Sequence, residues 1–331
     1  MQISHYKTID KSDWQGRTDS DTDPEKFRIH QVVELLDLGK PESEQQLAKE
    51  GCAKKFAIVG YAADEGVRRN KGKTGAAQGP MVLRRVLGNL PVHLGDTECF
   101  FDIGNIVCPS HDLETTQTVL SEITHALLKY NVFPICVGGG HDLAYGQGKG
   151  LYAHAKEKGE RLGIINFDAH FDLRDKIDGK GSSGTPFLQL SEHCKESEQE
   201  FHYLTIGVQQ ATNTRALYAK AKELGVKYIS RDQLQHHKIL EAANILDEFL
   251  LSVDKVYVTV CLDVFDGAFA PGVSAVGTYG IAPENFFPLF KHIKLSGKMN
   301  SFSVAELNPS LDHDGLTAKL TARIIHEVIS S

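Results

Sequence analysis

The stretch Asp168-Ala169-His170-Phe171-Asp172 carries the densest chemistry in the chain. It follows Leu162-Gly163-Ile164-Ile165-Asn166-Phe167, an apolar run that reads as a buried strand. In an extended chain residues i, i+2 and i+4 share a face. Asp168, His170 and Asp172 are therefore predicted to converge at the strand's exit. Carboxylates and an imidazole crowded together repel, or lose solvation, unless positive charge sits among them. A hard divalent cation answers that need, and this donor set suits manganese better than a thiolate-seeking metal.

Three further strand ends carry polar groups. Val132 to Val137 runs into Gly138-Gly139-Gly140-His141-Asp142, Val256 to Val260 into Cys261-Leu262-Asp263, and Phe302 to Ala305 into Glu306-Leu307-Asn308-Pro309. In an open parallel sheet, ligands bind beyond the carboxyl ends of the strands. Each motif alone has an ordinary reading: a hydrogen-bonded histidine, a helix-capping Asp263, a surface Glu306. Four segments aimed at one place are a stronger signal than any one of them.

The elements that must position these groups alternate along the chain. Strand-like runs at Phe56 to Gly60, Val132 to Val137, Leu162 to Phe167, Phe201 to Val208, Val256 to Leu262 and Phe302 to Leu307 are interleaved with helical ones. Helices are predicted over Phe27 to Leu38, Met81 to Leu87, Thr116 to Lys129, Leu240 to Leu251 and Thr317 to Val328. Continuous apolar strands between amphipathic helices indicate an α/β fold, a three-layer α/β/α sandwich around a mostly parallel sheet. Residues 1–50 are polar and read as an N-terminal extension packing on one catalytic domain, 51–331. The Gly-rich stretches 60–80 and 172–187 are expected to be surface loops with a functional role.

Composition excludes several roles. Across 331 residues the net charge is −7, from 36 basic and 43 acidic side chains, with no basic block of the kind that grips nucleic acid. No stretch is long and apolar enough to cross a bilayer, and Met1 to Lys7 lacks the apolar core of a signal peptide. The six cysteines, at 52, 99, 108, 136, 194 and 261, form no CxxC pair, so a structural zinc site is not expected. Several lie in apolar runs and read as buried thiols, and a reducing, cytoplasmic setting fits.

GGGHD at 138–142, NFDAHFDLR at 166–174 and the Asp263 segment resemble the ureohydrolase family of arginases and agmatinases. Within it, Trp14-Gln15-Gly16-Arg17, Glu65 to Gly75, Ser182-Ser183-Gly184-Thr185-Pro186-Phe187 and Ala270-Pro271-Gly272-Val273-Ser274-Ala275 look like the formimidoylglutamate-hydrolysing branch. The resemblance spans nearly the whole chain. It implies an arginase-like fold, a homo-oligomer (trimer or hexamer), and two manganese ions per subunit. His141 and Asp172 would hold one ion, His170 and Asp263 the other, and Asp168 both.

Two positions depart from the family pattern. The remaining bridging ligand should be an acid, but its register falls on Cys261. That residue either ligates as a thiolate, leaves one manganese weakly held, or leaves a single firm ion; it is otherwise an inert buried thiol. Ser183 stands where arginases carry a histidine, so an imidazole proton shuttle is missing. Arg174 stands where they carry Asn, and its fork suits a carboxylate, with a structural ion pair as the other reading. Arg69, Asn70 and Lys73 are further candidates for binding an anionic small-molecule substrate. The implied reaction is hydrolysis of N-formimidoyl-L-glutamate to glutamate and formamide, a step of histidine breakdown. Asp172 would move a proton and Glu306 orient the formimidoyl nitrogen. The alternatives are a guanidine hydrolase, such as an agmatinase, and a metal-poor, non-catalytic relative.

Overall fold

The computed structural model describes residues 3–330 apart from positions 41, 96, 236 and 237; Met1 and Gln2 of the N-terminal reading lie outside them. Ten strands form one sheet: β1 (Tyr6–Lys7), β2 (Glu34–Leu35), β3 (Lys54–Ala62), β4 (Glu98–Val107), β5 (Val132–Val137), β6 (Leu162–Phe167), β7 (His202–Val208), β8 (Lys227–Ser230), β9 (Lys255–Cys261) and β10 (Met299–Ala305). The order is β1-β4-β3-β5-β10-β9-β6-β7-β8, with β2 also on β4. All pairs are parallel except β1 with β4.

Side-chain alternation splits the core in two. On β3, Phe56 and Ile58 enter one apolar cluster, while Ala57, Val59 and Tyr61 enter the other. The first cluster is closed by α4 (Gly79–Leu87), α9 (Ile239–Ser252), α10 (Pro283–Leu295) and α11 (Leu316–Ile329). The second is closed by α5 (Leu113–Lys129), α6 (Leu143–Lys158), α7 (Pro186–Glu196) and α8 (Arg215–Glu223). Short helices α1 (Ile29–Val32), α2 (Glu42–Leu47) and α3 (Glu65–Arg69) complete the set. This is the three-layer α/β/α sandwich, with strands buried on both faces as the apolar runs require.

The structure corrects three expectations. The helix over Phe27 to Leu38 is only the single turn α1; the chain then extends into β2, whose Glu34 and Leu35 pair with Phe101 and Asp102. Sheet pairing outweighs a local helical pattern there. The stretches 60–80 and 172–187 are not wholly at the surface: Glu65, Gly66, Val67, Ser182, Ser183 and Thr185 are buried, because both stretches fold over the sheet's carboxyl edge. Cys136, Cys194 and Cys261 are buried thiols as read, but a bridge, which a reducing setting disfavours, is also present. Cys52 and Cys99, 47 residues apart, form a disulfide; parallel pairing of β3 with β4 brings them together, and no local spacing announces it.

Residues before β3 are integral to the packing. Trp14 is buried against Phe100 with ring centroids 6.0 Å apart, and its indole N–H donates to Asp102 Oδ2 at 2.7 Å. Arg84 donates from Nε to the same carboxylate at 2.6 Å and from Nη2 to Oδ1 at 3.0 Å.

Candidate active site

The four strands whose exits carry the polar groups, β5, β10, β9 and β6, are neighbours at the centre of the sheet. Register places Val304 beside Val137 and Val260, and Phe167 beside Val260, so the strands end level. Beyond β5 the chain turns through Gly138 and Gly139 at φ +92° and +65°. A Cβ would meet Pro80 at 2.4 Å in the first case and the Ala63 carbonyl oxygen at 2.3 Å in the second. Only glycine permits this turn, which delivers His141.

The groups after β6 converge for a reason other than strand alternation. The strand stops at Phe167, and Asp168 to Asp172 follow a turning path in which Asp172 adopts φ +50°. Glu306 is likewise left-handed, at φ +71°. Left-handed non-glycine residues carry local strain and concentrate at functional sites. Asp263 lies in a 3₁₀ turn just after β9, while Cys261 is the strand's last residue.

The predicted donors meet in two groups that share Asp168. His141, Asp168 and Cys261 form one, and Asp168, His170 and Asp263 the other; within each, the ligand atoms lie within 4.8 Å of one another. His141 Nδ1 is 3.0 Å from Asp168 Oδ2 and 2.8 Å from Asp172 Oδ2. His170 Nδ1 is 3.3 Å from Asp168 Oδ1 and from Asp263 Oδ2. Glu306 Oε1 accepts from the His141 backbone N–H at 3.3 Å.

Charge is out of balance here. Asp168, Asp172, Asp263, Glu306 and Cys261 are all buried, with only two imidazoles among them. Burial opposes ionisation of Asp168, but bonds from His141 and His170 hold its carboxyl well below the usual range. Burial and the nearby Asp168 charge lift Asp172 to about 6. Burial and Asp263 lift Glu306 to about 8. Burial would depress His141, yet Asp168 and Asp172 outweigh it and raise the imidazole to about 10. Burial, then the surrounding acids, push the Cys261 thiol far up. Asp263 Oδ1 is buried with no hydrogen-bond partner among the described residues. Oxygen donors held together at this electrostatic cost, one of them orphaned, fit divalent metal ions.

One positioning group escaped the sequence reading. His141 Nε2 lies 3.1 Å from Thr259 Oγ1, which accepts from Ser303 Oγ at 2.8 Å. An outer bond of this kind fixes a ligand imidazole's tautomer and leaves Nδ1 to face the metal side. Thr259 is two residues before Cys261, so alternation along β9 would have found it.

The centre opens into a cavity of about 280 Å³ lined by Asn70, Lys71, Arg174, Ser183, Ser274 and other residues besides the metal-side groups. Asn70 Nδ2 donates to Ser183 Oγ at 3.2 Å. Arg174 and Lys71 are exposed at the rim and form no ion pair among the described residues. Arg69 is engaged elsewhere: its guanidinium donates to Glu65, Glu114 and the Gly181 carbonyl. Lys73 does not line the cavity, and its backbone N–H bonds Ser274. Lys71, missed in the sequence, takes the wall position because the chain turns at φ +61° there.

This sheet, with a buried donor cluster at its carboxyl edge, defines the ureohydrolase architecture, and the chain belongs to the arginase family, which it matches over residues 54–330. Among curated relatives, a formimidoylglutamase from Clostridium tetani is 41% identical over 329 residues, covering 99% of this chain and 96% of its own. One from Aeromonas salmonicida is 40% identical, covering 95% and 96%. In fold, the chain resembles the crystal structure of formimidoylglutamase from Bacillus subtilis, with a TM-score of 0.78 at 22% identity over 96% of both chains. It also resembles Trypanosoma cruzi formiminoglutamase with manganese, at 0.75 and 22% identity over 85% of this chain and 94% of that one.

Proposed function

We propose that this protein hydrolyses N-formimidoyl-L-glutamate to L-glutamate and formamide, with two manganese ions. The observation that carries the reading is the pairing of a cation-seeking buried centre with unpaired Lys71 and Arg174 at its rim. A substrate ending in two carboxylates complements that rim; a cationic tail, as in agmatine, is repelled by it. The full-length relatives named above support the same substrate.

His141, Asp172 and Asp168 would hold one ion, and His170, Asp263 and Asp168 the other, with Cys261 beside His141 and Asp168 in the register of the remaining donor. When bound, the metal supplies a lowered pKa for coordinated water, so that a nucleophile exists near neutral pH. Glu306 accepts a hydrogen bond from the cationic formimidoyl nitrogen and orients the planar carbon. Arg174 and Lys71 clamp the glutamate carboxylates, and Asn70 with Ser183 fills the wall between. Asp172 carries a proton to the glutamate nitrogen as its bond to the formimidoyl carbon breaks. Water thus supplies the oxygen of formamide and the proton on the leaving amine.

Residues 1–50 serve as an extension docked on a catalytic domain at 51–331, and the protein assembles as a homo-oligomer, a trimer or hexamer, in the cytoplasm. No described helix is long and apolar enough to cross a membrane. Thiol counting on protein trapped in acid from cells tests that location: Cys52 and Cys99 are expected reduced there, and finding their bridge already formed would overturn a reducing compartment. Cys261 is the only support for a second reading, a metal-poor non-catalyst, and His141, Asp168, His170, Asp172 and Asp263 oppose it. Manganese-dependent formamide release, assayed with formimidoylglutamate, arginine and agmatine in parallel, tests the main one. Turnover of formimidoylglutamate alone is expected, and no manganese response with any of the three would overturn it.

A further inference from the structure

Away from the active centre, the outer faces of α5 and α6 bring together His125, His154 and Glu157. His154 and Glu157 are three apart on α6, so they share a face, and His125 meets them from α5. His125 Nε2 lies 3.0 Å from Glu157 Oε1, and the two imidazole rings are 6.2 Å apart between centroids. One ligand atom from each residue lies within 4.8 Å of the other two. His154 Nδ1 is buried and has no hydrogen-bond partner among the described residues. A buried ring nitrogen left unbonded carries a desolvation cost that a ligand would remove.

The geometry points to a second, separate metal site here, taking zinc or a similar borderline divalent ion through His125, His154 and Glu157. Two imidazoles and one carboxylate form a donor set used for zinc, with one position left to water. Ligands about 2.0–2.1 Å from a tetrahedral ion stand roughly 3.3 Å apart, so the His125–Glu157 contact is nearly set and His154 closes in by a small side-chain movement. The nitrogen-rich set selects against the ions an oxygen-rich centre prefers. Lys129 competes for Glu157, with its Nζ 3.8 Å from Oε1. Glu157 is exposed, which gives an ion access from solvent. A bound ion would staple α5 to α6, at the far end of the helix that begins just after His141.

The test uses the full-length, manganese-loaded protein dialysed against zinc, with both metals counted by mass spectrometry. One zinc per chain is expected without loss of manganese, together with a raised melting temperature. His154→Ala and, separately, His125→Ala are expected to weaken zinc by more than the roughly 10-fold to 100-fold typical of losing an outer partner, while manganese content and formamide release stay at the parent level. His154→Gln, which keeps bulk and polarity, should behave as His154→Ala. Zinc uptake equal in parent and variants, or zinc gained only as manganese is lost, would overturn the site.

Discussion

Two buried polar clusters sit against the same sheet on opposite electrostatic plans. At β4, Asp102 is wholly buried, and Arg84 and Trp14 donate to both its oxygens; Arg84 is itself completed by Asn105 and the Gly104 carbonyl. The chain supplies the cation, the anion and the remaining donors. At the exits of β5, β6, β9 and β10, four carboxylates and a thiol face two imidazoles, and one carboxylate oxygen is left over. The first cluster is complete when the chain folds. The second is complete only when something positive enters. A buried charge that answers its own need serves stability or register, whereas one that leaves the need open marks a binding site.

The sharpest break between the two comes from removing one carboxylate from each. Asp168→Ala takes away the group both donor sets share, and formamide release should fall below detection with manganese uptake lost, while the circular dichroism of the fold persists. Retained turnover would remove Asp168 from the centre. Asp102→Ala should do the reverse. It strands a buried guanidinium, a loss of about 3–5 kcal/mol, out of a total of roughly 5–15 kcal/mol. Chemical denaturation should show that loss, with kcat per folded molecule unchanged. Equal losses of stability in both variants would erase the distinction.

The open cluster should also be the pH-sensitive one. In the metal-free protein the acids raise His141 to about 10, so its imidazole is protonated at neutral pH and must lose that proton to ligate. Asp172, raised to about 6, takes up a further proton below that value. Manganese affinity should therefore rise with pH from 6 towards 10, by about tenfold per pH unit for each proton displaced. A flat dissociation constant between pH 6 and 9 would mean that the imidazoles are already neutral. At the rim the expected effect is smaller. Arg174→Ala should raise KM for formimidoylglutamate by about tenfold, the worth of one charge-assisted hydrogen bond, with kcat little changed. An unaltered KM would take Arg174 out of the substrate site.

The same contrast sets what the sequence could reveal. The donors of the open centre were legible because they lie at or just beyond the ends of apolar strands: the runs at Val132 to Val137 and Leu162 to Phe167 match β5 and β6 residue for residue. That Asp172 turns left-handed, instead of alternating, was not legible, because the turn depends on neighbouring loops. The closed cluster was invisible. Asp102 and Asn105 interrupt β4's apolar pattern, and their partners Arg84 and Trp14 are far away along the chain. Lys71 escaped because its direction depends on a positive φ, which residue type does not disclose. The Cys52–Cys99 bridge needed the β3–β4 register.

Cys261 is where the open plan is least complete, and changing it gives the finest test. It ends β9 opposite Ala305, groups with His141 and Asp168, and its thiol is pushed far up by burial and by the acids around it. A thiol held neutral is a poor partner for manganese, which prefers oxygen. Cys261→Asp exchanges it for a carboxylate of similar size on the same face. If unmet negative charge is what draws the ion, the variant should bind manganese more tightly, by about tenfold for an outcome on the scale of one added charge interaction. The metal-free variant should melt lower, since another buried acid then lacks a counter-charge. The two effects must appear together: tighter binding arises from the same repulsion that weakens the empty centre. Unchanged affinity in a manganese titration would mean that position 261 does not face the ions, and the register that aligns it with the family's bridging acid would then be wrong.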